Sequence, residues 1–187
     1  MQLSRSGLLA LAFALTLPAT AHAQRTEADQ AWRFGALGGW SFPTGDLSDV
    51  AKSGYNLGAF IERTQLLSNV STRIEYLYTQ MDSDIAFASG DFTMWTLTAN
   101  GIVGPDPAMR ARPYLIAGLG LGNFKADVES ANLEWDPDGD TGFTYNIGGG
   151  LRFRFTRFDL MLESRFVAQF TDFDTAYYFP VSLGIRF

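Results

Sequence analysis

Apolar and polar residues alternate with a period of two along most of the chain, and no helix-period stripe breaks the pattern. In 142–155, Phe143, Tyr145, Ile147, Gly149, Leu151, Phe153 and Phe155 share one face. Gly142, Thr144, Asn146, Gly148, Gly150, Arg152 and Arg154 share the other. In 158–170, Phe158, Leu160, Leu162, Phe166 and Phe170 stand against Asp159, Glu163, Arg165 and Gln169. The last segment sets Tyr177, Phe179, Val181, Leu183, Ile185 and Phe187 against Tyr178, Ser182, Gly184 and Arg186. Cutting the chain at its turn signals predicts eight strands: 32–42, 54–64, 70–80, 91–103, 112–124, 142–155, 158–170 and 176–187. Each is long enough to cross a bilayer, for which a tilted strand needs about 9–11 residues.

The connections sort into two kinds. Those at 65–69, 104–111 and 156–157 are mostly short, whereas 43–53, 81–90, 125–141 and 171–175 are generally longer and polar. Bacterial outer-membrane barrels have short periplasmic turns, longer outer loops and an even strand count. The pattern therefore predicts an all-β fold, an eight-stranded antiparallel up-and-down transmembrane β-barrel.

Energy decides which face meets lipid. An arginine on the lipid face at the bilayer midplane costs about 2–4 kcal/mol, so the faces carrying Glu62, Arg73, Glu75, Arg152, Arg154, Glu163 and Arg165 are predicted to point inward, with Arg33 and Arg186. Aromatic rings then fall into two belts. Trp40, Phe42, Tyr55, Tyr78, Phe143, Tyr145, Phe170 and Tyr177 lie near the long loops, and Trp32, Phe153, Phe155, Phe158 and Phe187 near the short turns. A soluble β-sandwich also alternates, but it has no reason to sort rings into two bands.

The first residues read as an address. Arg5 supplies a positive start, Leu8 to Leu17 an apolar run too short to span a membrane as a helix, and Ala21-His22-Ala23 a small-x-small cleavage pattern. Two parts are expected: a signal peptide over 1–23 and a barrel over 24–187. Cleavage removes His22, the only histidine of the 187 residues; there is no cysteine. Thiol chemistry, disulfides and Ser-His or Asp-His catalysis are thereby excluded for the mature chain. A net charge of −6 argues against nucleic acid as a partner.

The stretches GWSFPTGDLSDVAKSGYNLGAF (39–60), RPYLIAGLGLGNF (112–124), GFTYNIGGGLRFRF (142–155) and FPVSLGIRF (179–187) resemble the OmpA-like and OmpX-like family of small outer-membrane β-barrels. The resemblance implies that the carboxy-terminal pattern Tyr177, Phe179, Val181, Leu183, Ile185 and Phe187 is an assembly signal for the barrel-assembly machinery. Pro180 departs from the pattern. A closing strand pairs on both edges and proline lacks an N–H, so a bulge or a place near a loop is expected there.

The interior charges have two readings. In an eight-stranded barrel the lumen is just wide enough for side chains, so Glu62, Arg73, Glu75, Arg152, Arg154, Glu163, Arg165 and Arg186 are expected to pair into a salt-bridged plug; the alternative is a channel selectivity ring. Asp136, Asp138 and Asp140 have the spacing that opens a calcium loop, but Thr141 stands where its glycine belongs and Ile147 where its bidentate glutamate belongs. A solvated acidic loop is the plainer reading, and no metal or cofactor is expected. The glycines of 118–122 and 148–150 neither open a helix nor fit a phosphate-loop spacing. Carboxylate pairs such as Asp82 with Asp84 are not organised into a cleft, so no enzyme is expected.

The sequence thus predicts an integral outer-membrane barrel with a structural or surface-interaction role carried by acidic loops. A small porin-like channel is the alternative, and an exported lipocalin-like barrel a more distant one. Expected partners are outer-membrane lipid and lipopolysaccharide, the barrel-assembly machinery and an extracellular surface partner.

Overall fold

The protein is described by a computed structural model over residues 32–67, 69–83, 88–104, 110–130, 133–135, 140–171 and 175–187. Its elements are β1 (Trp32–Thr44), a 3-10 helix (Gly45–Asp49), β2 (Gly54–Leu67), β3 (Val70–Asp82), β4 (Ala88–Val103), β5 (Ala111–Ser130), β6 (Leu133–Trp135), β7 (Asp140–Arg154), β8 (Asp159–Phe170) and β9 (Thr175–Arg186). The proposed signal peptide lies outside the described residues.

Each long strand pairs antiparallel with its chain neighbours, and β1 pairs β9, which closes the ring. The result is an eight-stranded up-and-down barrel, with the three-residue β6 added to the end of β5. Closure leaves no sheet edge, the condition for burying strand backbone in lipid.

Three sequence expectations are corrected. The 125–141 connection carries the end of β5 and all of β6, and β4 begins at Ala88 rather than at 91, paired with Ser130. The 43–53 connection carries a short helix. Pro180 sits mid-strand without a bulge: β9 keeps one register along β8, and the ladder omits only the pairs opposite Pro180 and Phe179. The missing N–H costs local hydrogen bonds, while side-chain alternation on both faces holds the register.

Alternation sets the radial order. Trp32, Phe34, Trp40, Phe42, Leu57, Ile74, Leu97, Leu115, Leu119, Leu121, Phe143, Ile147, Leu162, Leu183 and Phe187 are exposed on the outer surface. On a soluble protein so much exposed apolar surface would be a liability; around a closed barrel it is the face for hydrocarbon. Rings at the loop end pack across strands, with Tyr55 6.3 Å from Tyr78 and Tyr145 5.8 Å from Phe170. At the turn end Phe155 stacks on Phe158 at 4.9 Å.

Candidate functional site

The inner faces of the eight strands make the lumen, and its two halves differ in chemistry. The half towards the short turns is ionic. Glu62 on β2 faces Arg33 across β1 and Arg73 across β3 in the ladder, so one carboxylate lies between two arginine rows. Arg73, 1% exposed, stands at the hub. Its Nη2 donates to Glu62 Oε2 at 3.1 Å, and its Nη1 donates to Glu163 Oε2 at 2.9 Å and to Glu75 Oε2 at 3.3 Å. Its guanidinium lies 4.2 Å from the centre of the Phe60 ring. Arg152 Nη2 donates to Glu62 at 2.9 Å, and Arg186 bridges Glu62 to Asp159. Arg165 bridges Glu75 and Glu163, lying 3.0 Å from the latter.

Two glycines explain how such long side chains fit. A Cβ on Gly150 would lie 2.6 Å from the Tyr114 hydroxyl, and one on Gly148 would lie 2.7 Å from Cγ of Arg165. The glycine run of β7 therefore clears space for Tyr114 and Arg165. Tyr114 uses it to donate to Glu163 Oε2 at 2.5 Å.

Uncharged groups sit between the halves. Asn146 donates to Asn100 at 2.9 Å and Asn100 to Thr98 at 2.9 Å, while Ser182 donates to Asn56 at 2.7 Å and Asn56 to Ser41 at 3.1 Å.

The half towards the long loops is apolar. Met81, Phe92, Met94, Val167, Ala176 and Tyr178 are buried together, and the 3-10 helix folds Leu47 into them, with Ala51 beside it. Gly45 has φ 62°, a left-handed conformation that side chains rarely adopt, and it turns the chain from β1 into this helix. The lumen thus holds apolar side chains towards the long loops and paired charge towards the short turns.

The expected charge set divides accordingly. Glu62, Arg73, Glu75, Arg152, Glu163, Arg165 and Arg186 come together in the lumen. Arg154 does not join them. It ends β7, its side chain is 48% exposed, and its Nε stands 3.8 Å from Asp159. Its strand parity is the expected one, but the barrel ends there and water solvates the head group. Sequence reasoning leaves Tyr114, Arg112 and Asp159 out of the set, although it places Asp159 on an inner face. It also passes over the apolar cluster, which strand parity could have found: Met81 is in phase with Arg73 and Glu75, and Met94 with Asn100. The terminal residues Phe179, Val181, Leu183 and Phe187 are exposed outward, with Tyr177 and Ile185 half-buried on the same face. Asp136 and Asp138 lie outside the described residues; Asp140 is half-buried at the start of β7. Among the described residues no group of three metal-ligating side chains occurs.

An apolar exterior and a closed eight-stranded wall, with the charged residues turned into the lumen, define an integral outer-membrane β-barrel. The chain belongs to the outer membrane protein beta-barrel domain family, whose model matches residues 8–187. Solved structures agree on the fold. Neisserial surface protein A is 18% identical with a TM-score of 0.65 over 83% of this chain and 96% of that one. Ail, the attachment invasion locus protein of Yersinia pestis, is 16% identical with a TM-score of 0.59 over 84% and 99%. A major outer membrane protein from Thermus thermophilus is 11% identical with a TM-score of 0.52 over 84% and 99%. No curated protein sequence matches the chain significantly.

Proposed function

We propose that this outer-membrane barrel is non-conducting and non-enzymatic, and that it acts through its outer surface, where acidic loops meet cationic partners. The observation that carries the reading is the double stopper: an ion crossing the lumen would have to displace both the Arg73 cluster and the Met81, Met94 and Tyr178 layer. Function is then left to the loop end. Asp46, Asp49, Asp82, Asp91 and Asp140 stand at that end of the described strands, with Lys52 and Lys125 as basic residues among them. Such a surface attracts cationic protein segments and the divalent cations that bridge lipopolysaccharide. The lipocalin-like alternative calls for charged outer faces, and the outer faces are apolar.

Export through cleavage after Ala23 and recognition of the Phe187 pattern by the barrel-assembly machinery complete the proposal. Deleting Phe187 is expected to lower the amount of assembled barrel without loosening barrel already folded; unchanged assembly would count against that signal. The surface role is tested with cells displaying the parent or a variant with Asp46, Asp49, Asp82 and Asp140 changed to asparagine. Binding of a soluble polylysine probe should fall in the variant at equal surface amounts, and equal binding would reject the acidic-loop role.

A channel is favoured by one observation. Gln169, buried among the loop-end residues, has both side-chain polar atoms without a hydrogen-bond partner. Water threading past them would supply partners and thin the stopper.

A further inference from the structure

The turn end of the lumen holds more guanidinium than carboxylate. Arg112, Arg152 and Arg186 gather there, with Arg154 at the exposed rim, and the acids that face them are Asp159 and Glu62. The ladder enforces part of this crowding, because Arg112 lies directly opposite Arg152, a like-charge pair that repels. The two acids are already engaged. Glu62 serves Arg73, Arg152 and Arg186, and Asp159 accepts from both Nε and Nη2 of Arg186. Arg112 is left with Asp159 at 3.8 Å from its Nη2, beyond hydrogen-bond reach. Its Nε and Nη2 are buried without a hydrogen-bond partner, and so is Nε of Arg152. The two residues are 9% and 7% exposed.

Buried donors of this kind are normally satisfied. Nε and Nη2 form the side-on edge of a guanidinium, the fork that takes two oxygens of one oxyanion. We propose that the turn-end mouth of the lumen binds a small oxyanion of the phosphate class, held by the side-on edge of Arg112 and by Nε of Arg152. Three donors on two side chains suit a tetrahedral group with several acceptor oxygens, and three buried guanidiniums over two carboxylates suit an anion. Arg154, half-exposed at the rim, lies on the way in from the periplasmic side.

The protein is refolded in a phosphate-free zwitterionic detergent, and thermal unfolding is followed while inorganic phosphate is titrated, with chloride at matched ionic strength as the reference. The parent should gain Tm saturably with phosphate and not with chloride. Arg112→Gln should weaken the apparent affinity about tenfold or more, the scale of a lost charge-assisted fork. Arg112→Lys, which keeps the charge but not the fork, should fall between. Arg63→Gln, on the outer wall with its guanidinium 5.6 Å from the Trp32 ring, should match the parent. Without phosphate, Arg112→Gln should be no less stable than the parent, because it removes an uncompensated charge. A purely structural arginine would instead destabilise the barrel when replaced, whatever the anion, and that result would overturn the proposal. An equal gain with chloride, or an unchanged response in Arg112→Gln, would overturn it as well. Micelles of a detergent whose headgroup holds no phosphate, with or without added phosphatidylglycerol and free of inorganic phosphate, separate the sources. An Arg112-dependent shift with phosphatidylglycerol assigns the same phosphate chemistry to a lipid headgroup, and its absence assigns it to the free anion.

Discussion

The two halves of the lumen fill the same cylinder by opposite means. The turn-end half uses groups that water solvates well, held inside only because Glu62, Glu75, Asp159 and Glu163 meet Arg73, Arg152, Arg165 and Arg186. The loop-end half uses Met81, Phe92, Met94, Val167 and Leu47, which stay because water rejects them. The contrast teaches that the halves fail differently. An ionic layer fails when one partner is removed, since the remaining charge stays buried. An apolar layer fails in proportion to the volume taken away.

Glu62→Ala breaks the comparison most severely. It withdraws the acceptor shared by Arg73, Arg152 and Arg186, and a loss of about 3–5 kcal/mol is expected in urea unfolding in detergent or lipid, as for a buried pair cut on one side. Glu163→Ala should cost less than Glu62→Ala, because Arg73 and Arg165 keep Glu75. A loss at Glu62 no greater than at an exposed charge would show the lumen to be freely hydrated.

Met94→Ala probes the other half. Truncating a fully buried methionine should cost about 2–4 kcal/mol from lost burial and the cavity left behind, with little dependence on salt. The same salt series run on Glu62→Ala sharpens the distinction, because only the ionic layer responds to screening where water reaches it.

Smaller effects follow from the ends. Gly45→Ala places a side chain at φ 62° and should cost about 1 kcal/mol, read from the same unfolding curves. Arg154→Ala, at the exposed rim and 3.8 Å from Asp159, should cost less than about 1 kcal/mol. A large loss there would place the rim inside the ionic layer.

Much of this is legible because lipid imposes a rule that sequence displays. Where a strand crosses hydrocarbon its outer residues are mostly apolar, and Phe143, Ile147 and Leu151 therefore mark Asn146 and Arg152 as inner residues without further information. The rule lapses where lipid ends. Ser89 and Asp91 on β4, and Asp127 and Glu129 on β5, put polar residues at the parity that lipid-facing residues hold earlier in those strands, so the extended β4–β5 ladder and its β6 addition read as loop. Parity also carries no depth, which is why sequence groups Arg154 with Arg152 although it stands in water one step along the inner face. Tyr114 is obscure for a different reason. An aromatic near a turn reads as a belt residue, and its inward course depends on the bare backbone of Gly150 on the next strand, a cross-strand relation that alternation within one segment does not express.

If both layers together seal the barrel, no ion crosses it, and an electrical recording reads this without an intermediary. The refolded protein is inserted into planar bilayers, with insertion verified independently, and single-channel current is recorded across a range of voltages and salt concentrations. The parent should show no steady unitary conductance. Stable ion-selective steps from the parent would contradict it and establish the lumen as a pore.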